Sequence, residues 1–166
     1  MDRQLHNELP ETAGTVTYRK PTQQDALTIV RGMRRSDVRE LLDGPFNNNR
    51  TILEIVSECR TLSDHAWVAC KDDVPFIMFG MQYANEHVAH PWMFGTDAMT
   101  TMRLSIAKES PLWLEVMRGS CQVLTNIFDR RNTVHIRWAH NLGFVAENVV
   151  ETNPNFQYMT KRYFDV

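Results

Sequence analysis

Residues 65–71, HAWVACK, and residues 74–83, VPFIMFGMQY, are two apolar runs joined only by Asp72-Asp73. Runs of this length, rich in β-branched and aromatic residues, read as strands, and a two-residue link makes them an antiparallel hairpin. The remaining signals fall into order around that hairpin. Residues 15–19 (TVTYR) alternate as a strand does, and Lys20-Pro21 stops them because the residue before proline avoids helical geometry. Thr22 then caps a helical pattern, TQQDALTIVRGM, with Asp25 at its third position. Ala26, Ile29, Val30 and Met33 recur at helical spacing and mark its buried face. Ser36 is expected to cap a second short helix, DVRELL, which Gly44-Pro45 ends. A polar loop at 47–50 leads to a third helix over residues 51–59.

Past the hairpin, residues 87–95 (HVAHPWMFG) form a weaker strand, and Pro91 places its missing N–H at an edge, a bulge or a splayed gap between strands. Thr96-Asp97 is expected to cap the longest helical region, which runs toward Met117. Pro111 interrupts it, Ser110 caps the restart and Gly119 ends it. Residues 122–128 are a strand, residues 132–142 a helix closed by Gly143, and residues 144–150 and 156–164 two closing strands across Asn153-Pro154. Trp67, Trp92, Trp113 and Trp138 are expected to be buried. The order β, three short helices, β-β-β, α, β, α, β-β describes an α/β fold, a mixed sheet with helices on both faces.

Neither a repeat nor a long linker divides the 166 residues, so residues 15–166 read as one domain behind a polar, flexible arm over 1–14. The 18 Lys and Arg against 20 Asp and Glu leave a net charge of −2, which argues against nucleic acid as a partner. No stretch reaches the ~20 apolar residues of a membrane span, and the first residues lack the apolar core of a secretory signal. Cys59, Cys70 and Cys121 form no CxxC and cannot all pair, so they read as small buried hydrophobes in a reduced compartment. His87 and His90 fall on opposite faces of a strand, and the five-residue spacing of His135 and His140 does not aim both rings at one ion. No metal is expected.

The string Asn132-Thr133…Ile136…Leu142-Gly143-Phe144, following the strand from Cys121 to Asp129, resembles the GNAT acetyltransferase superfamily, as does the opening Thr17-Tyr18-Arg19-Lys20-Pro21-Thr22…Asp25-Ala26. A narrower likeness lies in Trp92-Met93-Phe94-Gly95-Thr96, in Asn132-Thr133-Val134-His135-Ile136-Arg137-Trp138 and in Phe156-Gln157-Tyr158-Met159-Thr160. These resemble the internal virion protein A family of short-tailed bacteriophages. The resemblance implies a GNAT-like fold whose central strands splay near Pro91 to Gly95. It also implies a phage-encoded, virion- or infection-associated protein, found in the host-cell cytoplasm or the virion, with phage virion proteins or a host protein as partners.

Active relatives carry a [QR]-x-x-G-x-[GA] loop whose backbone N–H groups cradle a diphosphate at a helix N-terminus. Here the segment reads Gly95-Thr96-Asp97-Ala98-Met99-Thr100, without the glycine pair and with a negative charge at the positive end of the helix dipole. Relatives often place a tyrosine acid seven residues after the helix asparagine, a position held here by Ala139. His140 beside it reads as a surface or capping histidine. The leading expectation is therefore a catalytically degenerate GNAT fold that acts through protein contacts, with no catalytic residue and no cofactor. The alternative is an acyl-CoA-dependent N-acetyltransferase using acetyl-CoA. In that reading the backbone of Met93, Phe94 and Gly95 holds the pantetheine arm, the N–H groups of Ala98, Met99 and Thr100 take the phosphate, and Asn132 fixes the last helix beside the cofactor.

Overall fold

The structure, a computed structural model, describes residues 16–163; the arm expected over 1–14 lies outside them. The elements are β1 (Val16–Arg19), α1 (Gln23–Arg31), α2 (Arg35–Asp43), α3 (Ile52–Leu62), β2 (His65–Lys71), β3 (Val74–Tyr83), β4 (Val88–Gly95), α4 (Met99–Arg118), β5 (Val123–Asp129), α5 (Thr133–Asn141), β6 (Val145–Val149) and β7 (Phe156–Arg162). Seven strands form one sheet in the order β1-β2-β3-β4-β5-β7-β6. Every pairing is antiparallel except β4 with β5.

The β2–β3 hairpin has the bounds its sequence implies. Asp72 and Asp73 both take positive φ, 50° and 63°, the backbone a two-residue turn requires and one that aspartate tolerates. Thr22 and Thr51 each close a capping box, with Asp25 and Glu54 answering from the third helical position.

Alternation along the strands sorts the core into two layers. Met78 and Phe94 pack with Ala26, Ile29, Met33 and Val56 under α1 and α3. Ile77, Phe79, Met81, Leu124, Phe128 and Met159 pack with Trp113, Leu114, Met117 and Ala139 under α4 and α5.

Three local expectations are corrected. Arg34, not Ser36, is the N-cap of α2, and no side chain caps it. There the chain is held from elsewhere, because the Arg34 N–H donates to the Gly95 carbonyl at 3.0 Å and starts the helix before Ser36. Asp97 is not a cap either. α4 begins from Ala98 with no side-chain cap, and Asp97 stays exposed. Pro111 lies inside a continuous α4, and Ser110 Oγ donates back to the Ile106 carbonyl instead of capping a new helix. Burial of Trp113, Leu114 and Met117 beyond the proline offsets the one hydrogen bond it removes. Among the described residues no helix is long and apolar enough to cross a membrane.

The expected splay is present. β4 and β5 pair only at Val88↔Val123 and Ala89↔Leu124, after which both strands continue without a ladder between them.

Candidate functional site

β4 has two edges, and the bonding pattern fixes which residues face which. The Thr96 N–H donates to the Phe76 carbonyl and the Ala84 N–H to the Val88 carbonyl, so Val88, His90, Trp92 and Phe94 bond to β3. Pro91, Met93 and Gly95 therefore turn their main-chain groups toward β5, across the gap. Pro91 has no N–H to leave unpaired there. Its carbonyl accepts from Asn126 Nδ2 at 2.7 Å, and the His90 ring reaches over to the Thr125 carbonyl, Nδ1 to O 2.7 Å. Beyond that apex Met93 presents one N–H and one C=O to which no described residue bonds. At the far end the Gly95 N–H is held by Asp37 Oδ2 at 3.1 Å.

α2 spans this far end and ties the two diverging strands together. Asp37, which also receives a two-nitrogen grip from Arg34, secures β4. One turn later Glu40 secures β5, accepting from the Asp129 N–H at 3.2 Å and from Asn132 Nδ2 at 3.2 Å, with His135 Nδ1 at 3.4 Å. Asn132 itself is buried and caps α5 by accepting from the His135 N–H.

A cavity of about 640 Å³ occupies the gap and is lined from both faces of the sheet. On the α4/α5 side its walls include Phe79, Met93, Ile106, Trp113 and Trp138; on the α2/α3 side they include Leu41, Phe46, Trp92 and Tyr158. Trp92 and Trp138, both in the cavity wall, are only partly buried, against the sequence expectation; Trp113, in the same wall, and Trp67 are buried as expected. The Trp92 indole lies flat across β3 because Gly80 has no side chain. A Cβ there would come within 2.5 Å of the ring and 2.2 Å of the His65 carbonyl. The ring is fixed by Nε1 donating to Ser63 Oγ at 2.8 Å and by stacking on Phe94, with centroids 5.2 Å apart.

Two titratable groups in the wall are quenched by burial. Burial pushes the Cys59 thiol up to about 11, so it is a neutral thiol rather than a nucleophile. Burial and then the Glu109 carboxylate raise Tyr18, whose hydroxyl donates to Glu109 and braces β1 against α4. Ala139, in the position of the expected acid, is fully buried in the core under α5. His140 is exposed, and its Nδ1 lies 3.0 Å from the Phe144 carbonyl. Among the described residues no group of three His, Cys, Asp or Glu side chains could hold a metal.

The residues singled out in the sequence divide. Met93 and Gly95 do face the gap through their backbone, while the Phe94 side chain is buried on the opposite layer with α1 and α3. Met99 tucks its side chain beneath Gly95, and the Met99 and Thr100 N–H groups bond to the Thr96 and Asp97 carbonyls. Ala98 is exposed at the start of α4. Asp37, Glu40, Thr125 and Asn126 carry no motif, and only the Pro91 break pointed to their meeting place.

No family model and no curated protein matches the sequence. Solved structures do match. A GNAT-family acetyltransferase from Bacillus anthracis is 13% identical over 91% of this chain and 96% of its own, with a TM-score of 0.62. The fold is that of the GNAT acetyltransferases. YncA from Salmonella typhimurium, solved with its cofactor acetyl-CoA, is 16% identical over 92% of this chain and 96% of its own, at a TM-score of 0.64. PaiA N-acetyltransferase from Thermoplasma acidophilum, in complex with coenzyme A, is 14% identical over 90% and 100%, at 0.58. The likeness extends to the fold and adds nothing for the virion-protein family.

An acyl-CoA donor can be tested against the GNAT-type gap on chemical grounds. A pantetheine arm is thin, extended and studded with amides, and the gap offers an apolar slot with an open N–H and C=O at Met93. The residues fit that arm. The diphosphate end fits less well: α4 starts without glycines, and the Met99 and Thr100 N–H groups already bond to the Thr96 and Asp97 carbonyls.

Proposed function

We propose that this chain is an acyl-CoA-dependent N-acetyltransferase, the alternative reading of its sequence. The observation that carries it is the open β4–β5 seam. A sheet leaves strand edges unpaired inside a structure only where something else takes up their hydrogen bonds. Here the unclaimed groups are those of Met93, in an apolar slot lined from both faces of the sheet. Solved GNAT structures holding acetyl-CoA and coenzyme A support the same reading. In this assignment the slot takes the pantetheine arm from the α4/α5 face and the acceptor amine enters from the α2/α3 face. Acyl-CoA supplies the activated carbonyl; the chain orients it and keeps water from it.

The contact-only expectation rested on the missing glycine pair of the phosphate loop, on Asp97 and on Ala139. Asp97 turns out to be an exposed side chain that does not occupy the helix start, which weakens its case against a phosphate. Partners among phage virion or host proteins, and a place in host cytoplasm or virion, remain the proposal of the sequence resemblance alone.

Titration of acetyl-CoA into the purified protein by calorimetry tests the function. Saturable binding at ~10–100 μM is expected, about 6 kcal/mol of affinity. No heat at millimolar acetyl-CoA overturns the reading.

A further inference from the structure

His90 stands at the apex of the gap, where the β4–β5 ladder stops. It alternates with Trp92 and Phe94 on β4 and pairs with Gln82, so its ring lies on the α2/α3 face, the side assigned above to the acceptor. It lines the cavity and is partly buried. Its ring hydrogen bond has a chemical consequence. The partner of Nδ1 is the Thr125 main-chain carbonyl, 2.7 Å away, and a carbonyl can only accept. Nδ1 therefore carries the hydrogen. In a neutral imidazole that leaves Nε2 as a bare lone pair, and no described residue donates to it. The second nitrogen is thus set as a proton acceptor, with its tautomer fixed by the backbone of the strand that diverges from its own. Asn126, bonding the Pro91 carbonyl at 2.7 Å from the next position of β5, holds the apex at a constant width. Of the other candidates in the wall, Cys59 is held as a thiol and Tyr18 is bound to Glu109, while Glu40 and His135, whose Nδ1 lies 3.4 Å from Glu40 Oε2, stand at the far end beside α5 and not at the apex.

We propose that His90 is the general base of acyl transfer, a reading that rests on the proposed acetyltransferase function. Nε2 takes a proton from the acceptor amine as its nitrogen attacks the thioester carbonyl carbon. The C–N bond forms and the C–S bond breaks, its electron pair leaving with the sulfur. The proton on Nε2 then passes through solvent to the thiolate, since Ala139 has none to give. Products are the amide and the free thiol of coenzyme A, and the imidazole returns neutral.

Two measurements decide it. The first is independent of any acyl donor: two-bond ¹⁵N–¹H spectra of histidine-labelled protein at alkaline pH, with His90 assigned by the signals missing in His90→Gln. The Nδ1–H tautomer is expected; an Nε2–H tautomer overturns the proposal. The second follows thiol release from acetyl-CoA with a panel of spermidine, 2-phenylethylamine and an alanyl dipeptide. His90→Gln, whose amide can still bond the Thr125 carbonyl, should lose ~10²–10⁴-fold in kcat while acetyl-CoA affinity by calorimetry stays within about twofold. His90→Gly should regain part of its rate with free imidazole, which mere loss of structure would not allow. Retention of most of the rate by His90→Gln overturns the base. A wild type that binds acetyl-CoA yet acylates none of the amines overturns it too. Failure of the wild type to bind acetyl-CoA overturns the acyl-transfer function instead, a distinct result.

Discussion

The two edges of β4 run beside each other for the same eight residues and end differently. Toward β3 the strand pairs from Tyr83↔Ala89 to Ile77↔Gly95 without a break. Toward β5 it pairs twice and then parts. The closed edge is covered on both layers by large buried side chains; among the described residues the open edge is crossed by His90 to Thr125 and Asn126 to Pro91, and at its end Asp37 and Arg34 of the α2 segment hold Gly95. The difference shows where stability and chemistry are separately housed. Ladder bonds and apolar burial hold the β1–β4 half, and the β4–β5 seam gives them up to leave a slot that only its two ends fasten.

That division can be broken or sharpened by substitution. The largest effect is expected at Trp113, which meets Trp67, Phe79 and Tyr18 with ring centroids 4.8–5.3 Å apart. Trp113→Ala should cost ~3–5 kcal/mol by urea denaturation. Trp138→Ala, which removes a ring only partly buried beside β5, should cost clearly less; equal costs would abolish the distinction between the halves.

Next comes Gly80. Gly80→Ala forces a methyl against the His65 carbonyl and the Trp92 ring, and a loss of ~1–3 kcal/mol is expected in the same assay. A neutral result would mean that Trp92 is free to move and does not form a fixed wall.

A smaller effect, of a different kind, is expected at Met93. Met93→Pro removes an N–H that makes no ladder bond, so the melting temperature should fall by only a few degrees. Acetyl-CoA affinity should weaken ~3–10-fold, the worth of one hydrogen bond. Unchanged affinity would show that the open N–H is not what the arm uses.

The smallest effect is expected at Asp97. As an exposed residue that caps nothing, Asp97→Ala should change stability by under ~0.5 kcal/mol, where a working cap would cost about 1 kcal/mol. Acetyl-CoA should bind slightly tighter once that charge leaves the helix start. A full cap-sized loss would restore the role its sequence suggested.

Much of the molecule could be read from local rules. The bounds of β2 and β3, the cap at Thr22 and the ending of α2 at Gly44 all follow from residues acting on near neighbours. The errors share one cause. Thr96-Asp97 and Ser36 look like caps, yet Arg34 bonding to Gly95, and the Met33↔Thr96 bridge beside it, decide how both helices begin. Those partners are some 60 residues apart along the chain, beyond the reach of any pattern within a turn. Pro111 broke the helix on paper, where the contacts of Trp113 and Met117 with distant strands do not show.

The site divides in the same way. By its sequence alone the chain determined a mixed α/β sheet and its element order, because periodicity and turn residues act locally; Pro91 left an edge, a bulge or a splayed gap open, and the tertiary structure decided for the gap. Which backbone groups the break would leave open depended on what crossed it. The tethers come from α2 and β5, from Asp37, Glu40, Thr125 and Asn126, residues ordinary in type and spacing. The sequence offered His90 as half of an unsuitable metal pair. Only the tertiary structure gave its Nδ1 a carbonyl to face, and an imidazole's second nitrogen is defined by what the first one bonds.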